Sequence, residues 1–255
     1  MLLPWLRRWD FNQAQKVDVF VANSHNVRAR IRRYYARDAL VVYPPVNTAR
    51  LAQVEEPQGR YYLVLGHQVA YKRLDLAVDA FNELGLPLLV AGDGEEIARQ
   101  RLRAKPNISF RRFVPEAELP RLYGDAIALI FPGEEDFGIV PVEAMAVGTP
   151  VIAYGRGGAA ETVIHGQTGS LFSEQSVEAL ARAVSAFDPD RFDRDSLRKH
   201  AAQFSAERFS RDFKALVDEE YRRFVVTGHR RLEHGTRRRT LGPRAARTRT
   251  EGLAR

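Results

Sequence analysis

Two loops hold the residues whose types and spacing could do chemistry. The first, GHQVAYKR (66–73), combines Gly66, which lets a ligand approach the backbone closely, with three donors, His67, Lys72 and Arg73, just ahead of a helical pattern. A cation at a helix start opposes the helix dipole, so Lys72 and Arg73 make sense there beside an anion, with phosphate the candidate. Two ordinary solvated residues are the plain alternative. The second loop, PGEEDFGIVPVE (132–143), sets Glu134, Glu135 and Asp136 directly before Phe137 and Gly138, and Gly138 opens a helix that runs to Gly148. The N–H groups of residues 138 to 140 point out of that helix start and can cradle an oxyanion. Glu143 lies on the second helical turn, so it and Glu135 need not share a helix to line one crevice. Taken alone, Glu135 also reads as a helix-start charge and Glu143 as a buried acid bonded to backbone; spacing leaves both readings open.

A parallel sheet must position these loops. From Tyr61 onward, β-rich runs alternate with helical patterns: YYLVL (61–65), LPLLVA (86–91), NISF (107–110), AIALIF (126–131) and PVIAY (150–154). The runs are continuously apolar rather than alternating, as strands covered on both faces are. Strand, helix and strand in repeated succession predict an open, doubly wound α/β domain with a parallel, Rossmann-like sheet. Ligands of such sheets bind beyond the carboxyl ends of the strands, where the strand order reverses. With the order 3-2-1-4-5-6 counted from Tyr61, that crevice lies between the loops after the first and fourth strands, which are the two loops above.

The flanking segments carry their own signals. In RLDLAVDAFNEL (73–84), Leu74, Leu76, Ala77, Ala80, Phe81 and Leu84 share a face before Gly85 ends the helix. In the run 204–224, Phe209, Phe213, Leu216, Val217, Tyr221 and Phe224 form a stripe that predicts a packed C-terminal helix. Upstream, VDVFVANS (17–24) reads as a buried strand with Asn23 or Ser24 capping the next helix, and ALVVYPPV (39–46) as a strand ended by Pro44 and Pro45.

Composition narrows the class. The chain has no cysteine, which excludes disulfides, thiolate metal sites and thiol redox chemistry and suggests a cytoplasmic protein. The apolar run Met1 to Leu6 is too short for a membrane span or a signal peptide. The net charge of +7 sits entirely in Val226 to Arg255, with nine arginines and two glutamates. That basic tail lacks aromatics and periodicity and is expected to be disordered. Peripheral contact with an anionic membrane is one expectation for it, at about 1 kcal/mol per basic residue. The lack of interleaved aromatics argues against nucleic acid. Arginines outnumber lysines 34 to five across the chain, so arginine richness by itself says little.

EDFGIVPVEAMAVGTPVIA (135–153) resembles the signature of family 4 glycosyltransferases, in which two glutamates are separated by seven residues. GHQVAYKRLDLAVDAF (66–81), AGDGEEI (91–97) and GGAAETVIHGQTGSLF (157–172) resemble companion segments in the right order, and the resemblance covers about residues 9–225. It implies the GT-B arrangement of two facing doubly wound domains, this chain supplying the C-terminal half, which holds the donor nucleotide-sugar. On that reading residues 1–45 are a remnant of the N-terminal acceptor domain and the interdomain connection, 46–225 the nucleotide-sugar-binding domain with its C-terminal helix, and 226–255 the basic tail. Family members carry a whole domain before the segment resembling VDVFVANSHNV, whereas 16 residues precede Val17 here. A truncated product, a fragment, or a partner that supplies the rest is therefore expected.

The resemblance also assigns roles. Lys72 matches the lysine on the donor diphosphate, and His67 stands where many members have arginine or glutamine, implying a weaker or pH-dependent phosphate clamp. Glu135 matches the glutamate beside the donor sugar, and Phe137, Gly138, Ile139 and Val140 match backbone facing sugar and diphosphate. Glu143 matches the glutamate that holds the ribose hydroxyls, and Val114 lies where members contact the base by main chain. Gly66 joins them on the donor side, and Lys72 with Glu135 carries the catalytic assignment. Fixed N–H dipoles and Lys72 can stabilise a departing nucleoside diphosphate, so neither metal nor cofactor is implied. Retention would come from front-face attack assisted by the leaving phosphate. YKRLDLAVDAF resembles mannosyltransferases that use GDP-mannose, so the expected reaction moves a hexose, mannose foremost, to a glycan or lipid-linked acceptor. The alternative is a nucleotide-sugar-binding module without catalysis.

Overall fold

Side chains along the central strands alternate between two separate apolar layers, and this places a sheet in the middle of the fold. The computed structural model describes residues 2–51 and 59–235, and the chain divides into two units, 1–213 and 214–255. In the first unit the elements run α1 (Leu2–Ala14), β1 (Val21–Ala22), α2 (His25–Tyr35), β2 (Leu40–Val41), α3 (Thr48–Leu51), β3 (Tyr61–Leu65), α4 (Leu74–Leu84), β4 (Leu88–Ala91), α5 (Glu96–Arg103) and β5 (Ile108–Arg111). They continue with α6 (Leu119–Gly124), β6 (Ala126–Phe131), α7 (Ile139–Val147), β7 (Val151–Tyr154), α8 (Ala159–Thr162), β8 (Gly169–Phe172), α9 (Val177–Ser185), α10 (Arg194–Ala201) and the start of α11 (Ala206–Gly235).

Six of the strands form one parallel sheet in the order β5-β4-β3-β6-β7-β8, which is the expected doubly wound order. Leu63, Leu129, Val151 and Ala153 face α7 and α10, where Val142, Met145, Leu197 and Ala201 are fully buried. Tyr62, Val64, Ala128, Ile130 and Ile152 face the other way, against Leu74, Ala77, Phe81, Leu180 and Val184 of α4 and α9. Both faces are dry, which is why the strand sequences lack polar alternation. The strand order reverses between β3 and β6, so the loops 66–73 and 132–138 leave adjacent strand ends.

Several expectations are corrected. The apolar runs 17–24 and 39–46 yield only two paired residues each, Val21–Ala22 on Leu40–Val41. Among the described residues that ladder has no third strand, and a two-stranded sheet has little to sustain it, so Val17, Val19 and Leu40 stay exposed. Ser24, not Asn23, caps α2, its hydroxyl accepting from Val27 N–H at 3.0 Å. The strand β8 escapes the sequence pattern because Gly169 and Ser170 break the apolar run. Residues 1–45 fall in the same unit as the sheet.

The C-terminal stripe also differs from expectation. Phe209 stacks on Phe213 at 5.4 Å, but Phe213, Val217, Tyr221 and Phe224 are exposed. The second unit, from Lys214, contains the remainder of α11, with ion pairs such as Lys214–Asp218 at 2.7 Å one turn apart. The helix continues to Gly235, so residues 226–235 of the expected disordered tail are helical; 236–255 lie outside the described residues. Among the described residues no helix is long and apolar enough to cross a membrane.

Candidate functional site

The reversal of strand order opens a cavity of about 780 Å³ whose walls include Lys72, Glu135, Phe137, Gly138, Ile139 and Val140. Lys72 ends a tight helical turn, Ala70–Lys72, and its ammonium lies 3.1 Å from Glu135 Oε1, with each side chain 19% exposed. That carboxylate oxygen is buried and takes no hydrogen bond, so the ion pair is its main compensation. Gly66 borders the same ammonium: a side chain there would begin 3.5 Å from Lys72 Nζ.

The start of α7 lines the same cavity. Gly138 occupies the cap position with φ 84°, and no side chain caps the helix. The first N–H groups of a helix have no partner within it, and Pro141 in the first turn has none to offer; residues 138 to 140, at this helix start, line the cavity. The Phe137 ring does not face the cavity; it is buried against Tyr43 and Phe204, at 5.7 and 5.6 Å. Its backbone is what reaches the site.

Two glycine-rich segments hold these loops in place. A Cβ on Gly92 would sit 2.1 Å from the Gly66 carbonyl oxygen, and one on Gly158 only 2.2 Å from Phe137 Cα, so neither position tolerates a side chain. Gly158 N–H also donates to the Glu135 carbonyl at 2.7 Å. The segments 91–97 and 157–172 thus act as backbone supports for the two loops rather than as cavity wall. Glu161 extends that support to α2: its carboxylate accepts from the N–H groups of His25 and Asn26, at 2.8 and 2.7 Å, and from the Tyr43 hydroxyl at 3.1 Å. Burial, then the Glu161 charge, pushes the Tyr43 hydroxyl up to about 12.

The remaining candidates lie elsewhere. Arg73 turns away from the cavity into a two-point pair with Asp75, at 3.0 and 2.9 Å, from a left-handed backbone position. Partial burial pushes the Asp75 carboxyl up, but Arg73 outweighs this and holds it below its ordinary value. His67 is exposed and does not line the cavity. Val114 packs at the margin of the core. Glu143 sits one turn along α7, accepting from the buried Tyr123 hydroxyl at 2.7 Å. Burial raises its carboxyl above the ordinary value, and the Glu116 charge adds to this, against Tyr123 and Arg50, which lower it. Arg50 pairs in turn with Glu116, two residues after Val114, so Glu143 belongs to a second polar cluster beside the first.

The sequence motifs did not single out Asn23, Arg30, Pro44 and Tyr71 as site residues, yet these too line the cavity, and Arg30 pairs with Asp136. Asn23 and Arg30 come from the β1–α2 segment, far from the loops in sequence; the only local signal was the cap at Ser24. Among the described residues no group of three or more His, Asp or Glu side chains is placed to hold a metal ion.

A doubly wound sheet with an ion pair and an uncapped helix start lining one cavity where its strand order reverses is the architecture of ligand-binding α/β domains. The chain belongs to the glycosyl transferases group 1 family, whose pattern matches residues 47–204. It is similar to the D-inositol 3-phosphate glycosyltransferase of Streptomyces scabiei, with 29% identity over 83% of this chain and 57% of the relative. It is also similar to the GDP-mannose-dependent alpha-(1-6)-phosphatidylinositol monomannoside mannosyltransferase of Mycolicibacterium smegmatis, 29% identical over 66% of this chain and 52% of that protein. Its fold matches the crystal structure of Anabaena Alr3699/HepE in complex with UDP and glucose, with a TM-score of 0.70, 20% identity and coverage of 83% of this chain and 66% of that one. The chain spans about half the length of the curated relatives it matches.

Proposed function

We propose that this chain is the donor-binding, C-terminal half of a retaining hexosyltransferase of GT-B architecture, holding a nucleotide-sugar at the reversal of strand order. The observation that carries this reading is that Lys72 and the uncapped start of α7 line one cavity. A diphosphate there would meet the Lys72 ammonium, shared with Glu135, together with the N–H donors of a helix start. Glu143 lies four residues along α7 from Ile139, about 6 Å of helix rise, which suits a ribose attached to a phosphate held at the helix start. Val114, beyond Glu116, would contact the base by main chain.

In the reaction the bond between the anomeric carbon and the diphosphate oxygen breaks, and the departing charge falls on Lys72 and the N–H groups of 138 to 140. The acceptor hydroxyl attacks the face the diphosphate leaves, and its proton passes to the leaving phosphate oxygen, so configuration is retained. Glu135 orients the donor sugar and holds Lys72. GDP-mannose is the favoured donor, from the likeness of residues 71–81 to mannosyltransferases and the GDP-mannose dependence named for the mycobacterial relative. The acceptor is a glycan or a lipid-linked sugar; the lipid-linked class draws support from the phosphatidylinositol mannoside named for that relative.

Calorimetric titration with GDP, UDP, GDP-mannose and UDP-glucose tests the reading. Binding of one nucleotide series, with GDP-mannose preferred, is expected; no binding of any of the four at millimolar concentration would overturn it. A second reading is a nucleotide-sugar-binding module without catalysis. Donor binding without any release of nucleoside diphosphate in the presence of acceptor sugars would select it.

A further inference from the structure

The donor cavity holds a second ion pair. Arg30, from α2, and Asp136 both line it, and the guanidinium donates to Asp136 Oδ1. Asp136 directly follows Glu135, so two consecutive carboxylates each hold a cation on one cavity, Lys72 on the first and Arg30 on the second. The pairs differ in cover. Lys72 and Glu135 are largely covered, whereas the Arg30 side chain is 56% and that of Asp136 53% exposed. An exposed pair is screened by water and contributes little to stability, while a buried carboxylate stripped of its cation is costly. Arg30 is therefore the cation that can leave its carboxylate for an incoming anion with little loss.

The rest of α2 keeps Arg30 at this place. Ser24 and the Glu161 carboxylate fix the start of the helix. Arg28 and Arg32, on either side, each make a two-point contact with Asp38, at 2.8 to 2.9 Å. The Arg33 guanidinium lies 5.5 Å from the centre of the Tyr34 ring. Of the four arginines on α2, Arg30 is the one that lines the donor cavity.

The charge of the lining shows why a second cation is needed. Glu134, Glu135 and Asp136 against Lys72 and Arg30 leave it formally −1, so a diphosphate gains little unless a cation turns from its carboxylate to the phosphate oxygens. Lys72 stays tied to the buried Glu135 oxygen, which takes no hydrogen bond. His67 does not line the cavity. A guanidinium offers a planar fork of donors that matches two oxygens of one phosphate. We infer that Arg30 is a switching phosphate ligand, which leaves Asp136 when a nucleotide-sugar binds and clamps the sugar-bearing phosphate beside Lys72. The inference rests on the donor reading of this cavity. Asp136 adjoins Glu135, on the sugar side in that reading, whereas Glu143 and the ribose lie along α7, so Arg30 takes the outer phosphate rather than the inner one.

Calorimetry on the whole chain tests it, with GDP, UDP, GMP and UMP as ligands and far-ultraviolet circular dichroism to establish that each variant folds. Arg30→Met should weaken binding of the diphosphate by roughly 5- to 20-fold and of the matching monophosphate by less than about 2-fold, with Arg30→Lys between it and the parent. Asp136→Asn frees the guanidinium and should tighten diphosphate binding by roughly 3- to 10-fold, but by less than about 2-fold in the Arg30→Met background. A pair that only braces the loop gives the opposite sign, with Asp136→Asn binding diphosphate more weakly than the parent, and that result would overturn the inference. Diphosphate affinity unchanged in Arg30→Met, or an equal loss for diphosphate and monophosphate, would also overturn it while leaving the donor reading standing. Failure of the parent chain to bind any of the four at millimolar concentration would sink the donor reading and this inference together.

Discussion

Replacing Lys72 by methionine keeps the length of the stem but leaves Glu135 without its cation. At 3.1 Å and an effective dielectric near 20, the attraction between two unit charges is about 5 kcal/mol before desolvation is counted. Each side chain keeps 19% of its surface exposed, so water at the cavity rim offsets part of that attraction and part of the cost of losing it. Removing one partner of a buried pair costs about 3–5 kcal/mol, and this rim position argues for somewhat less, about 2–3 kcal/mol for Lys72→Met. Glu135→Gln, which leaves a lysine able to reach water, should cost about 1 kcal/mol, and the double variant less than the sum by about 1–2 kcal/mol. Urea unfolding of all four proteins, followed by far-ultraviolet circular dichroism, measures the coupling. Titration with GDP and UDP adds a readout of opposite sign: Glu135→Gln frees the ammonium and should tighten nucleoside diphosphate binding by roughly 3- to 10-fold, while Lys72→Met weakens it by at least about 10-fold. Coupling within about 0.5 kcal/mol of zero, or weaker diphosphate binding in Glu135→Gln, would refute the view that Lys72 is shared between a carboxylate and an anion.

Three further outcomes follow from the geometry. Glu143 has a carboxyl raised above its ordinary value of 4.5, so the folded state binds more protons than the unfolded one between those two values, and stability should fall as pH rises through that window. Glu143→Gln, which keeps an acceptor for the Tyr123 hydroxyl, should flatten that decline in thermal unfolding measured across pH; an unchanged slope would contradict the assignment. Gly158→Ala drives a methyl into the Phe137 backbone and should destabilise by about 1–3 kcal/mol while weakening GDP or UDP binding, because the start of α7 must move. Stability and affinity equal to the parent would remove the supporting role of the 157–172 segment. Glu161→Ala orphans the N–H groups of His25 and Asn26 and should cost about 1–2 kcal/mol, with faster amide exchange at those two residues. Unchanged exchange would show that the helix start is held by Ser24 alone.

Much of the site was legible because strong local patterns set it. The runs 61–65 and 126–131 are unbroken apolar stretches flanked by turn residues, and their adjacency at the order reversal brings Lys72 to Glu135. Local pattern says nothing, however, about which partner a side chain takes. Arg73 carries the same sequence signal as Lys72, and Asp75, two residues on, captured it. The apolar run 17–24 reads like a buried strand, but among the described residues no third strand joins its ladder, and that is a property of the whole fold. Arg30 reaches the cavity through a pairing with Asp136 across 106 positions, a separation at which one sequence gives no signal. The C-terminal stripe shows the converse: its periodicity predicts a helix well, but Tyr221 and Phe224 remain exposed.

The central claim is that a nucleoside diphosphate sits between Lys72 and the start of α7, and a crystal structure of the chain soaked with GDP or UDP tests it most directly. The account predicts phosphate oxygens within about 3.2 Å of Lys72 Nζ and of at least one N–H among residues 138 to 140, with ribose hydroxyls against Glu143. A nucleotide bound elsewhere, or one whose phosphates bypass both Lys72 and the helix start, would contradict it.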